Sequence, residues 1–148
     1  MFRRNFIAAI AATTILFVTG CAVAPFLGPI LSLGVMWSQG EAHKYYHADQ
    51  QTIINAIKDA SNDMEFNWKV DSVSGNTTYM KVDDQSSGVN HFNIKITAIQ
   101  HNVTKLSIRI NTWGDKPYAE LMYRKVDKYP GVQDFKTLEQ LEKAYYGR

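Results

Sequence analysis

Cysteine is nearly absent from this sequence: Cys21 is the one cysteine among 148 residues. A single cysteine cannot form a disulfide within the chain. The motifs of phosphate-binding loops, serine hydrolases and zinc proteases are also missing, namely G-x-x-x-x-G-K-[ST], G-x-S-x-G and H-E-x-x-H. The sequence therefore predicts a protein that is not an enzyme and holds no cofactor or metal. An enzyme with a dispersed active site is the weaker alternative.

A strong excess of charge is missing too. The chain has 16 Lys and Arg residues and 14 Asp and Glu residues, and the numbers become equal once Arg3 and Arg4 are set aside. Nucleic-acid binding requires clustered positive charge against phosphates, so no nucleic-acid partner is predicted. Aromatic residues make up 12% of the chain, which provides for a hydrophobic core and argues against disorder.

The N-terminus combines positive charge with a short apolar run. Arg3 and Arg4 precede an apolar stretch from Phe6 to Val18, and small residues follow before Cys21. This pattern is typical of a secretory signal peptide, here residues 1–20. Val-Thr-Gly-Cys at residues 18–21 resembles a bacterial lipobox, in which the cysteine sulfur receives diacylglycerol and the new amino group is acylated, commonly with palmitate.

The lipobox implies that the membrane is a partner of this chain through a lipid on Cys21. Each buried methylene contributes about 0.8 kcal/mol, so two or three acyl chains anchor a protein essentially permanently. Ala22 in place of an aspartate resembles the outer-membrane pattern, with the domain in the periplasm. The alternatives for Cys21 are a small buried hydrophobic residue or a redox thiol. If uncut, the uncharged run from Phe6 to Trp37 would be long enough to span a bilayer.

Residues 21–39 are predicted to be the lipidated N-terminus and an apolar tether. Proline at positions 25 and 29 and glycine at 28 and 34 break any helix. The tether carries several large apolar residues: Phe26, Leu27, Ile30, Leu31, Leu33, Met36 and Trp37. Fully extended it would reach about 50 Å. Its apolar residues should either lie at the lipid surface or pack on the domain.

Residues 40–148 have the length of one domain, and their periodicity predicts an α+β fold. Alternating apolar and polar residues predict antiparallel strands, most clearly around Phe92 and Ile108. The predicted strands are 40–46, 66–71, 77–82, 91–98 and 105–111. The predicted helices are 50–63, capped by Asp49, then 117–126, opened by Pro117, and 135–145. The order β-α-β-β-β-β-α-α predicts helices on the dry face of one antiparallel sheet of about five strands.

Two stretches carry a family resemblance. The stronger is Val103 to Asp127, especially Ile-Arg-Ile-Asn-Thr-Trp-Gly-Asp at residues 108–115, and the weaker is the helix with Asp49 through Ala60. Together with the lipobox and the apolar segment, they resemble a family of small Gram-negative lipoproteins of unknown function that includes the Flpp-type lipoproteins of Francisella. The resemblance covers about Cys21 to Asp127. It implies an envelope domain, sometimes linked to virulence, with space between helix and sheet and no assigned reaction.

A pocket between sheet and helix is one candidate binding site. Its lining would consist of Trp68, Phe92, Ile108, Tyr118 and Leu121. An apolar lining with few polar groups suits a lipid or another small hydrophobic ligand. A filled core is the competing interpretation and the favoured one.

A contact loop after the last strand is the other candidate site. It would present Trp113, Asp115 and Tyr118, because exposed aromatic residues on loops often mark binding surfaces. The competing interpretation is that Trp113 covers the open end of the sheet and Pro117 only opens a helix.

The histidines and paired aspartates do not predict a metal site. His43 and His47 are four residues apart, which on a strand separates them by about 13 Å. His91 and His101 lie on a polar strand face and in a loop, and they are predicted to be solvated. Asp83-Asp84 lacks the alternating acidic ligands of a calcium loop, so a solvated turn is predicted.

These observations predict a lipid-anchored envelope protein that contacts another envelope protein or supports envelope integrity. The alternative is a carrier or sensor of a small hydrophobic ligand. A void of several hundred cubic ångströms under the helix would favour the carrier. A contiguous exposed apolar patch would favour the interaction protein.

Overall fold

The computed structural model describes residues 34–86, 90–135 and 137–147. The predicted signal peptide, the predicted lipid acceptor Cys21 and the tether as far as residue 33 lie outside these residues. The elements are β1 (Met36–Ser38), β2 (Glu41–Tyr46), α1 (Gln50–Asp63), β3 (Asn67–Ser74), β4 (Thr77–Asp83), β5 (His91–Gln100), β6 (Val103–Ile110), α2 (Lys116–Val126) and α3 (Leu138–Tyr146). No helix within the described ranges combines the length and apolar character needed to cross a bilayer.

The strands form one open, six-stranded antiparallel sheet with the order β1-β2-β6-β5-β4-β3. The predicted α+β class and the predicted order of elements from β2 onward are therefore confirmed. β1 is an additional strand, formed by residues that sequence analysis assigned to the tether. It pairs with β2 across a turn at Gln39 and Gly40. Both turn residues have positive φ, 50° and 75°, which suits the right-handed twist of a two-residue hairpin.

Helix α1 occupies the predicted range, and its cap explains where it starts. Asp49 has an extended backbone, and its carboxylate accepts a hydrogen bond from the Thr52 backbone N–H at 2.7 Å. This bond satisfies an N–H that has no partner within the helix. Ile53 and Ile57, one turn apart, are completely buried, as the amphipathic spacing predicts.

The core lies between the sheet and the pair of helices α1 and α2. The predicted alternation of β5 and β6 is confirmed. Their buried residues face one another in register as the pairs Phe92 and Ile110, Ile94 and Ile108, and Ile96 and Leu106. Each such side chain contributes about 1.5–3 kcal/mol when fully buried, so these two strands are a main source of stability.

Strand β3 forms as predicted, but its apolar residues are poorly buried. Val70 and Val73 are 46% and 68% exposed, although β3 pairs with β4 along its length. β3 is an edge strand, so it has a neighbour on one side only. The register also shifts between Val70 and Ser72, which places Asp71 in a bulge. Bulges of this kind are common at sheet edges and interrupt regular pairing.

The C-terminal segment differs from the prediction of a helix beginning near Phe135. α3 begins at Leu138, after the cap Thr137, and Phe135 lies buried before it. The segment before α3 is held extended, because Asp134 forms a β-bridge with Tyr46. The His47 N–H also donates to the Gln133 carbonyl at 2.7 Å. These long-range backbone bonds explain why a helix does not start earlier.

Candidate binding surface

Trp113 has the largest exposed fraction, 88%, of the exposed large apolar side chains in the described part of the chain. It lies between β6 and α2 in a segment that we call the Trp113 turn, residues 111–115. The Gly114 N–H donates to the Ile110 carbonyl at 2.9 Å, and the Asn111 N–H donates to the His91 carbonyl at 2.8 Å. An indole this exposed does not cover the end of the sheet. It projects into water from a hydrogen-bonded backbone.

Two glycines bring the Trp113 turn against the β1–β2 turn. A Cβ atom on Gly114 would lie 2.4 Å from the Gly40 carbonyl oxygen, and one on Gly40 would lie 2.6 Å from the Trp113 carbonyl oxygen. Only glycine allows so close an approach of two backbones. Arg109 adds a further link, because its guanidinium donates to the Gln39 carbonyl at 3.2 Å. The Trp113 turn is therefore braced by the neighbouring hairpin.

The other two residues of the predicted contact loop have structural roles. Asp115 caps α2, since its carboxylate accepts a hydrogen bond from the Tyr118 N–H at 3.2 Å. Pro117 lies in the first turn of α2, as predicted. The Tyr118 ring packs edge-on against Phe92, with centroids 6.3 Å apart. Of the three predicted contact residues, Trp113 is the one with a fully exposed side chain.

The residues of the predicted pocket lie in the core and at its margin. Phe92 and Ile108 are completely buried, whereas three residues are half-buried: Trp68, Tyr118 and Leu121. The Phe92 ring is flanked by Phe66, with centroids 5.5 Å apart, and by Tyr118. These ring contacts occupy the space beside Phe92 and favour a packed core there. The ligand pocket stays a prediction.

The sheet face opposite α1 and α2 is polar, and we call it the open face. Its central ionic group is the Glu41 carboxylate, which accepts a hydrogen bond from Lys95 at 3.1 Å and lies 3.8 Å from the Arg109 guanidinium. Burial alone would raise the pKa of Glu41. The hydrogen bond and positive charge of Lys95, a hydrogen bond from Ser107 and the positive charge of Arg109 together outweigh that effect. They hold the pKa of Glu41 below its usual value. Glu41 is therefore ionised and forms ion pairs with Lys95 of β5 and Arg109 of β6.

The histidines are spread over separate environments. Burial and the neighbouring Lys105 lower the pKa of His43 on the open face, which favours a neutral imidazole. His91 is exposed, as predicted, and its Nδ1 lies 2.7 Å from an Asp83 oxygen. Within residues 34–86, 90–135 and 137–147, no three His, Cys, Asp or Glu side chains converge in a way that would hold a metal ion.

Sequence analysis missed a partly buried cluster of ionisable groups, which we call the Lys44 cluster. The Lys44 ammonium, on a side chain only 5% exposed, donates to both Asp127 carboxylate oxygens at 2.8 Å and lies 3.3 Å from Asp134. The Tyr46 hydroxyl donates to the same Asp127 at 2.8 Å. The sequence did indicate that Lys44 is unusual. In a strand it alternates in step with the core residues Ala42 and Tyr46, so its side chain faces the helices. The cluster ties β2 to the end of α2 and to the segment before α3.

A shallow apolar groove of about 420 Å³ separates α3 from the sheet, and we call it the α3 groove. Tyr45 and Ile99 line its sheet side. Leu138, Leu141 and Tyr145 line its helix side, as one row of α3. These three residues lie within the helix that sequence analysis predicted at residues 135–145. The structure confirms the helix, but none of the α3 residues that it describes is buried.

The sequence matches the family described as Protein of unknown function (DUF3568) over residues 5–129. The chain belongs to this family. The DUF3568 match includes the Trp113 turn, Gly40 and the Lys44–Asp127 pair, whereas Asp134 and α3 follow its end. A comparison with curated proteins finds no match to this chain.

Proposed function

We propose that this DUF3568 protein is a lipid-anchored, non-enzymatic protein of the bacterial envelope that binds another envelope protein through the Trp113 turn. The anchor is supported by Arg3 and Arg4, the apolar run that follows them and the position of Cys21. The same features, with Ala22 after the cysteine, support the outer membrane and a periplasmic domain. The resemblance to the Flpp-type lipoproteins points to the same compartment.

The exposed indole of Trp113 is the observation that carries the binding role. Tryptophan is enriched among the few residues that dominate interface energies, because its large surface can enter a pocket on a partner. At 88% exposure, Trp113 has nearly its whole surface left to bury. The Gly40–Gly114 contact already holds its backbone in place, so binding would cost less conformational entropy than it would from a free loop.

The open face beside the turn supports an acidic partner. Arg109 connects the two regions, since it reaches Glu41 on the open face and Gln39 in the turn that braces Trp113. Basic residues outnumber acidic ones around Glu41, where Lys95 and Arg109 flank one carboxylate. Charges of this kind at the rim of an interface increase the association rate and select the partner. The partner would therefore offer an apolar pocket bordered by carboxylates.

Photocrosslinking in intact cells tests the binding role. The photoreactive residue p-benzoylphenylalanine is placed at position 113 and, as a matched control, at position 73. Val73 is also an exposed apolar residue, 68% exposed, but it lies on the edge strand β3. We expect one recurring protein adduct from position 113 that is absent from position 73. Equal adducts from both positions, or none from 113, would contradict the proposed interface.

A separate experiment tests the anchor. Cells are labelled with a clickable palmitate analogue while they produce the wild-type chain or Cys21→Ala. We expect label on the wild type only, and an uncleaved precursor for Cys21→Ala. Normal maturation of Cys21→Ala, or an unlabelled wild type, would rule out the lipoprotein assignment and leave the crosslinking result to be interpreted separately.

A further inference from the structure

We infer that the surface around the α3 groove docks into the interface of a lipid bilayer, an inference that rests on the proposed anchor at Cys21. The starting observation is that α3 presents an organised apolar row without burying it. Leu138 and Leu141 are half-buried, and Tyr145 is 41% exposed. A helix of nine residues is marginal in water without a packed face, so a surface that covers this row would stabilise α3.

Tyrosine is prominent on this surface. The groove is lined by the tyrosines Tyr45, Tyr145 and Tyr146 and by the aliphatic residues Ile99, Leu138 and Leu141. Tyr146 is 68% exposed, and its ring meets the Tyr145 ring edge-on at a centroid distance of 4.8 Å. Tyrosine is enriched at bilayer interfaces, because its ring is apolar and its hydroxyl can stay hydrated. The composition of the groove therefore suits the boundary between headgroups and acyl chains.

The charges of the described residues beside the groove are balanced. Glu139, Glu142 and Lys143 are exposed on α3, and the Lys105 ammonium lies 5.9 Å from the centre of the Tyr45 ring. Two carboxylates and two ammonium groups leave no net charge to attract anionic lipid. Burial of apolar and tyrosine surface would therefore drive the docking, and docking should persist on an uncharged bilayer.

The proposed anchor puts a bilayer within reach of the groove. Gly34, where the described chain begins, follows Cys21 by 13 positions, and a chain of that length can extend over at most about 45 Å. A lipid on Cys21 would keep the domain within this distance of the bilayer, so the effective concentration of the bilayer at the groove would be high. Met36 pairs with His43 of β2, and Tyr45 lies two residues further along that strand. The chain therefore enters the domain at the strand that forms one wall of the groove.

The groove and the Trp113 turn lie at opposite ends of β2. The Trp113 turn contacts Gly40, just before β2, whereas the groove is lined by Tyr45, near the end of β2. Five residues of a strand span about 17 Å. A domain whose groove faces the bilayer would therefore hold Trp113 away from the lipid, where it is free to meet the proposed protein partner.

Photocrosslinking of the full-length chain in its cells tests the docking. The photoreactive residue p-benzoylphenylalanine is placed at position 141 and, as the control at the opposite end of β2, at position 113. We expect irradiation to attach phospholipid to the peptide that contains position 141, as identified by mass spectrometry, and no phospholipid at position 113. Links from position 141 only to a second copy, to another protein or to the acylated Cys21 would overturn the proposal. No link at all, or equal lipid adducts from both positions, would also overturn it.

A second measurement uses a conservative aromatic substitution, in case the photoreactive residue itself disturbs the groove. The mature lipidated protein, as wild type or Tyr145→Trp, is placed in phosphatidylcholine vesicles whose acyl chains are brominated near the headgroup, since bromine quenches a tryptophan that inserts beside it. We expect the emission added by Tyr145→Trp to be mostly lost, and to stay lost in about 1 M NaCl, where attractions between charges are screened. Val73→Trp, on the edge strand β3, is the control and should keep its added emission. Equal emission from the two variants, or quenching that salt reverses, would refute the docking.

Failure of the docking and failure of the proposed function give different results. If the palmitate analogue labels Cys21 but position 141 gives no lipid adduct, the docking is refuted and the anchor stands. If position 141 gives a lipid adduct but position 113 gives no protein adduct, the docking stands and the proposed partner is refuted. An unlabelled wild type would remove the anchor and the docking together.

Discussion

Removing the carboxylate of Asp127 should destabilise the domain by about 3 kcal/mol. Truncation of one partner in a buried ion pair costs about 3–5 kcal/mol, because the other charge is left without compensation. The lower end applies here, since the Asp127 side chain is 36% exposed and Asp134 stays 3.3 Å from the Lys44 ammonium. The Tyr46 hydroxyl also loses its acceptor in Asp127→Ala, which contributes about 1 kcal/mol of the total.

The control for this prediction is Lys44→Met, which removes the charge and keeps the side-chain volume. Replacing a buried charge by an apolar side chain of similar size is often close to neutral, so we expect a change below about 1 kcal/mol. In the Lys44→Met background, Asp127→Ala should then cost only the tyrosine hydrogen bond, about 1 kcal/mol. The two changes should therefore be coupled by about 2 kcal/mol in a double-mutant cycle.

Equilibrium urea unfolding, followed by far-UV circular dichroism, measures all four proteins of this cycle. The m-value should stay constant, because the surface exposed on unfolding does not change. Additive effects, or a Lys44→Met variant as unstable as Asp127→Ala, would refute the reasoning. Additive effects would mean that Asp127 acts independently of the Lys44 charge. An unstable Lys44→Met variant would mean that the ion pair itself adds net stability.

Three further changes test other parts of the structure. Gly114→Ala should lower the free energy of unfolding by more than about 2 kcal/mol, because Gly114 has φ +83° and its added Cβ would lie 2.4 Å from the Gly40 carbonyl oxygen. Gly75→Ala is the control, since Gly75 has φ +57° but open space around it, and it should lower the stability by less. Thermal unfolding measures both variants. Phe92→Ala should cost about 3–5 kcal/mol in urea unfolding, and a near-neutral result would contradict its burial against Phe66 and Tyr118. Glu41→Gln should remove stability that the wild type has above pH 4.5, the unfolded-state pKa of Glu41. Because folding lowers this pKa, the difference between the two proteins should vanish as the pH falls through the folded-state value, and a difference that persists at pH 2 would contradict the ionic role of Glu41.

The parts of the fold that were predicted from the sequence are those that local patterns determine. Asp49 and the spacing of Ile53 and Ile57 suffice to predict α1, because capping and burial act within a few turns of one helix. The alternation of β5 and β6 is local in the same way. β1 was missed because three residues at the end of an apolar segment carry no period, and their strand character depends on pairing with β2.

The candidate site was predicted less completely, because its parts come together only in three dimensions. Trp113 was identified from its loop, but the brace behind it requires Gly40, which lies far away in sequence. Lys44 and Asp127 are likewise separated by 83 positions. A single strand pattern shows that Lys44 faces the core, yet no local pattern indicates which carboxylate it meets.

The end of the family match divides the described part of the molecule into a region that forms the core and a C-terminal addition. Asp127 lies within residues 5–129, the range that matches DUF3568, and it already satisfies both Lys44 and Tyr46. The sheet and its two helices can therefore close their core with residues of the matched range alone. Asp134 and α3 follow that range and add a second, weaker carboxylate contact and an unburied helix. Since α3 contributes no buried residue to the core, its apolar row does not account for the stability of the sheet. α3 and the groove beside it are an addition to a core that is complete without them.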